Sequence, residues 1–87
     1  MIINIHEDAG HAWAQVKRKE LDALGISSKI TGYSYQNFDD VYLEEDNDLY
    51  VYISALKKKY GDGLKIEYKT VWDGNSSIIR SYRHFAA

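Results

Sequence analysis

The chain has 87 residues, of which 45% are hydrophobic and 14% aromatic, with no cysteine, no proline and a formal net charge of −2. A single domain of this length buries only about 60–65% of the surface its unfolded chain exposes, which argues against a deep catalytic pocket, and the lack of cysteine excludes a disulfide framework, a thiolate-held metal and a thiol nucleophile. The longest apolar run, Leu49–Ile53, is five residues, and the N-terminus has no basic region ahead of an apolar stretch, so neither a membrane span nor a signal peptide is expected and the setting is read as cytoplasmic.

Ile2, Ile3 and Ile5 precede the turn-like Glu7-Asp8-Ala9-Gly10, and His11 to Val16 runs on as a second extended stretch, which together predict a β-hairpin. Lys19 to Leu24 is rich in helix formers, and Gly25 stands where a helix terminator belongs. Thr31 to Glu45 alternates around Tyr33, Tyr35, Val41 and Leu43, with Gln36 to Asp40 as turn material, and reads as a second hairpin with Tyr33 and Tyr35 on one face. Asp46 or Asp48 is placed to cap the next helix, and Lys57, Lys58 and Lys59 sit at its far end before Gly61, charges that suit the helix dipole. Leu49, Ile53, Leu56 and Tyr60 define its apolar stripe, which places Tyr60 on the core side and Tyr52 at the surface. Leu64 to Trp72 alternates as a half-buried strand, and Ile78 to Phe85 is expected to pair back on it. Residues 1–87 thus predict one α+β domain of order ββαββαββ, a mostly antiparallel sheet of five to six strands with two helices on one face.

The near-neutral total conceals a segregation of charge. Residues 39–48 hold six acids and no base, whereas residues 49–87 hold seven bases against three acids. A domain-wide basic field for nucleic acid is absent, and two local charged edges remain. Asp39, Asp40, Glu44 and Glu45, flanked by Tyr35 and Tyr42, form a candidate acidic and aromatic docking surface, able to imitate a phosphate track for a nucleic-acid-binding protein. Lys57, Lys58, Lys59, Arg80, Tyr82 and Arg83 form the alternative, a basic and aromatic surface suited to stacking on bases. His6 and His11 are spaced by five on a hairpin pattern and are read as ordinary strand and turn histidines rather than metal ligands. No nucleophile elbow, catalytic triad motif or phosphate-cradling loop is present, so no catalytic residue, cofactor or metal is assigned.

Gly10-His11-Ala12-Trp13, Tyr33-Ser34-Tyr35, Tyr42-Leu43-Glu44-Glu45-Asp46-Asn47-Asp48 and Ile79-Arg80-Ser81-Tyr82 together give the chain a pattern that resembles small accessory proteins of tailed bacteriophages and prophages. The blocks cover most of residues 10–85, and the tyrosine–acid block is the specific part. The resemblance implies a bacterial-cytosol setting and a non-enzymatic protein that binds a host protein, with an inhibitor of a host defence nuclease, such as an anti-CRISPR, as the leading expectation. A small nucleic-acid-binding module and a homo-oligomeric structural protein pairing its edge strands are the alternatives.

Overall fold

The apolar alternation at the N-terminus folds as a hairpin: β1 (Ile2–Glu7) and β2 (Ala12–Lys17) pair antiparallel, with Ile5 opposite Ala14 and His6 opposite Trp13, in a computed structural model that describes residues 1–87. The turn is closed by the Asp8 N–H donating to the His11 carbonyl (2.9 Å) and by the Asp8 carboxylate accepting from the N–H groups of Gly10 and His11, the turn chemistry for which a short carboxylate side chain is suited. β2 leads directly into α1 (Arg18–Ala23), and Gly25 follows at φ 69°, the left-handed conformation that ends a helix. β3 (Tyr35–Asn37) and β4 (Asp40–Glu44) form the second hairpin; α2 (Asp48–Tyr60), β5 (Glu67–Trp72) and the two-residue β6 (Arg83–His84) complete the chain.

The sheet order is β5-β1-β2-β4-β3-β6, antiparallel throughout except for the β1–β5 pair. That exception follows from direction. β4 runs the same way as β1 because both are antiparallel to β2, α2 carries the chain back, and β5 therefore arrives parallel to β1. Side chains alternate across the sheet. Ile3, Ala14, Val16, Val41 and Leu43 point to one face, where Leu21 of α1 and Tyr52 and Leu56 of α2 complete the main core. Trp13 and Tyr42 point to the other face, covered by Ile79 from the segment after β5. The element order and the α+β class agree with the sequence reading.

Five local expectations are corrected. The buried stripe of α2 is Asp48, Tyr52 and Leu56, while Tyr60 is 58% exposed. The stripe turns because the Tyr52 hydroxyl finds a buried-side partner, donating to the Glu20 carboxylate of α1 (2.5 Å), so a polar tip can enter the interior. The carboxylate that caps α2 is neither Asp46 nor Asp48: Glu44 accepts from the N–H groups of Asp46 (2.9 Å), Asn47 (2.6 Å) and Asp48 (2.7 Å). Thr31 to Ser34 is a turn rather than a strand, held by the Asp48 carboxylate, so Tyr33 lies outside the sheet instead of beside Tyr35. β5 is exposed at every residue rather than half-buried, because it is the sheet edge and the helices lie inboard of it. Finally, Ile78–Ser81 is a single 3-10 turn, and β6 pairs with β3 at the opposite edge of the sheet rather than with β5. The Asp8 carboxylate causes this course by accepting the Ser77 N–H (2.8 Å) and the Arg80 guanidinium, which draws the segment across the outer face.

Candidate functional site

The outer face of the sheet is organised by one buried carboxylate. Asp8 accepts from Arg80 Nε (2.6 Å) and Nη2 (2.9 Å) as well as from the backbone of Gly10, His11 and Ser77. The Arg80 guanidinium beside it, then the Ser77 N–H, hold the Asp8 carboxyl well below the usual carboxylate range, and Asp8 in turn raises the pKa of Arg80. Fixed in this way, the guanidinium lies 5.3 Å over the Trp13 ring. A Cβ at Gly10 would sit 2.9 Å from Arg80 Nη2, so a larger residue there would displace the guanidinium from this position.

Around this pair the strands place further aromatic rings. Tyr35 meets Trp13 edge-on at 6.1 Å and stacks on His84 at 4.8 Å. His11 lies 6.1 Å from Trp13. Glu44 stands opposite Trp13 in the β2–β4 register, and the turn into α2 adds Asp46 and Asn47. Together with Tyr33, which is 79% exposed, these residues line an open groove of about 400 Å³. The groove presents aromatic faces next to carboxylates. Its one cation, Arg80, is already neutralised by Asp8.

Comparison with protein-family models, curated proteins and solved structures finds no match.

The structure divides the acidic surface expected from the sequence. Glu44 and Tyr35 line the groove; Glu45, on the α2 side of the same strand end, is exposed to solvent just beyond it. Asp39 and Asp40 lie at the opposite end of β4, where Lys17 Nζ is 2.9 Å from Asp40 Oδ1. Tyr42 is buried under Tyr82 (5.3 Å) with its pKa pushed up to about 12, chiefly by burial and then by Tyr82. The alternative basic surface is divided as well. Lys57, Lys58 and Lys59 close α2 on the helical face, where Lys58 and Lys59 border a shallow cleft of about 560 Å³, whereas Arg80 and Tyr82 belong to the opposite face and Arg83 to the β6 edge. His6 is likewise engaged: its Nδ1 lies 3.2 Å from Asp73 and its Nε2 2.9 Å from Gln15.

His11, Trp13, Tyr33, Asp46 and Asn47 were missed as site residues by sequence reasoning. A signal for them was present. Each of the four short blocks that carry the phage-protein resemblance contributes to the groove: His11 and Trp13 from the first, Tyr33 and Tyr35 from the second, Glu44, Asp46 and Asn47 from the third, and Arg80 from the fourth.

Proposed function

We propose that the protein is a non-enzymatic binding protein that recognises a basic segment of another protein through the Trp13–Tyr35 groove. The observation that carries this reading is that a solvent-facing aromatic ring and a free carboxylate line the same open groove. Tyr33 is almost fully solvent-facing, and the Asp46 side chain makes no internal hydrogen bond although its backbone N–H is held by Glu44. A rigid ring and an unpaired carboxylate in one groove suit an arginine or lysine side chain, which gains ring stacking and a charge-assisted hydrogen bond together. Glu44 adds negative potential while its oxygens hold the start of α2, which suits it to positioning rather than to proton transfer. The resemblance to phage accessory proteins favours a host protein as partner. A nucleic-acid-binding effector, an anti-CRISPR target for example, has the basic surface this groove requires.

The test is affinity capture from a bacterial lysate with the wild-type protein and with a Tyr33→Ser/Asp46→Lys variant, both checked for native circular dichroism. A protein retained by the wild type, released by raised salt and lost with the variant supports the reading. Identical retention by both proteins would refute it.

A further inference from the structure

The sheet has one long open edge. β6, at one margin, is two residues long, whereas β5, at the other, is six residues long and exposed along its whole length. The N–H groups of Glu67 and Asp73 donate to the carbonyls of Met1 and Glu7 (2.8 Å each), so the odd-numbered residues direct their backbone polar groups towards β1. Strand alternation therefore turns the N–H and C=O groups of Tyr68, Thr70 and Trp72 outwards, as an unpaired template for another strand.

We propose that β5 pairs antiparallel with β5 of a second copy of this chain, about a two-fold axis at Tyr68, so that Glu67 of each copy stands opposite Lys69 of the other. Charge selects this register. A two-fold centred on Lys69 sets Lys69 against its own copy, one centred on Thr70 sets Glu67 against Asp73, and like charges directly opposite one another are destabilising. A two-fold centred on Val71 runs into the turn after Asp73, where Gly74 leaves extended geometry at φ 92° and where Asp73 is held by His6 and Ser77. Centring on Tyr68 gives two unlike charge pairs, and both fall at the closely spaced sites between hydrogen-bonded pairs, where Cα atoms approach to about 4.5 Å and side chains meet best.

The same register matches the apolar side chains. On the helical face it sets Tyr68 against Tyr68, Ile66 against Thr70 and Leu64 against Trp72, which covers a tryptophan that is 59% exposed in the single chain. Met1 N donates to the Lys65 carbonyl (2.7 Å), which continues the β1–β5 pattern just ahead of Glu67, whereas the Leu64 N–H is held by the Gly61 carbonyl (3.3 Å), so Leu64 contributes its side chain and not a backbone pair. Glu67 and Lys69 thus oppose the registers centred on Lys69 and Thr70 and favour the one centred on Tyr68, while a two-fold centred on Ile66, which sets Glu67 against Lys65, is cut short by the turn at residues 61–64; the product is a continuous twelve-stranded sheet. The groove lies over β2, β4 and β3, away from this edge, so a dimer would carry two unobstructed grooves.

Sedimentation equilibrium from micromolar to millimolar concentration tests the proposal on the wild type, Lys69→Glu, Glu67→Lys and the double exchange Glu67→Lys/Lys69→Glu, all at exposed positions. The expected result is a wild-type dimer, a dissociation constant raised about tenfold or more in either single variant because both symmetric contacts turn repulsive, and recovery to near the wild-type value in the double exchange. Amide hydrogen exchange gives an independent reading: the Tyr68 and Thr70 N–H groups should gain protection as concentration rises. A monomer at the highest concentration, a dimer indifferent to the single reversals, a double exchange that fails to recover, or a dimer without protection at Tyr68 and Thr70 each overturns the proposal.

Discussion

Replacing Asp48 with Ala removes the acceptor that ties the Thr31–Ser34 turn to the start of α2. The Asp48 side chain is fully buried, and its carboxylate accepts four hydrogen bonds: from Thr31 N (3.0 Å), Thr31 Oγ1 (2.8 Å), Ser34 Oγ (2.6 Å) and Asn47 Nδ2 (3.1 Å). Ser34 is itself fully buried and has no solvent to turn to, so losing its charged acceptor costs about 1.5–2 kcal/mol. The two Thr31 bonds, nearer the surface, add about 1 kcal/mol together and the Asn47 bond a few tenths. The carboxylate also sits at the positive end of the α2 dipole, worth about 0.5 kcal/mol. The expected loss is about 3–4 kcal/mol, against a total stability of about 4–13 kcal/mol for a domain of this length. With a urea m-value of about 1 kcal/mol/M, the unfolding midpoint should fall by about 3 M. Asp48→Asn, which keeps the volume and one acceptor oxygen, should lose about half as much. A loss below about 1 kcal/mol for Asp48→Ala would show that the orphaned donors are rehydrated at no cost, and the account of the acidic block as internal scaffolding would fail.

Two further predictions follow from the same geometry. Because the Asp8 carboxyl is held below its unfolded value near 3.9, chiefly by Arg80, its contribution to stability is complete above that value and is lost as pH falls through and below it. Arg80→Met should lower Tm at neutral pH and flatten the fall in Tm between about pH 4 and pH 2 relative to the wild type; an unchanged slope in that range would refute the assignment. Phe38 occupies the two-residue β3–β4 loop at φ 54° while 94% exposed, so its ring gains little from burial and its backbone bears the cost of a left-handed conformation. Phe38→Asn should therefore stabilise the fold by about 1 kcal/mol, a Tm rise of about 4–8 °C in calorimetry, and a lower Tm would show that the ring makes a contact that matters.

The acidic block shows how a composition signal can mislead about location and still be informative. Six carboxylates within ten residues invite a continuous docking edge, yet the fold engages three of them internally: Asp40 with Lys17, Glu44 with the first turn of α2, and Asp48 with Ser34 and Thr31. Asp40 and Asp48 are set apart from Asp39, Glu45 and Asp46 by partners on other elements, Lys17 and the Thr31–Ser34 turn, whereas Glu44 is set apart by the local N–H groups of Asp46, Asn47 and Asp48. The same holds for the basic end of the chain. Arg80 reads as a free cation in sequence, and a carboxylate seventy-two residues earlier converts it into a clamp over Trp13.

What the sequence determined by itself was local in origin: the two hairpins, the positions of both helices, the ββαββαββ order and the shared face of Val41 and Leu43, since alternation, helix propensity and glycine placement act over a few residues. What the tertiary structure decided was everything that depends on which elements become neighbours. It turned the α2 stripe towards Tyr52 because Glu20 of another helix was there to accept its hydroxyl. It also sent the C-terminal segment across the sheet to β3 because Asp8 holds it, and by that course it gathered four separated sequence blocks into one groove while leaving β5 as the open edge. Hydrogen bonds to buried carboxylates are satisfied in three dimensions, and no spacing along the chain specifies which donor will satisfy them.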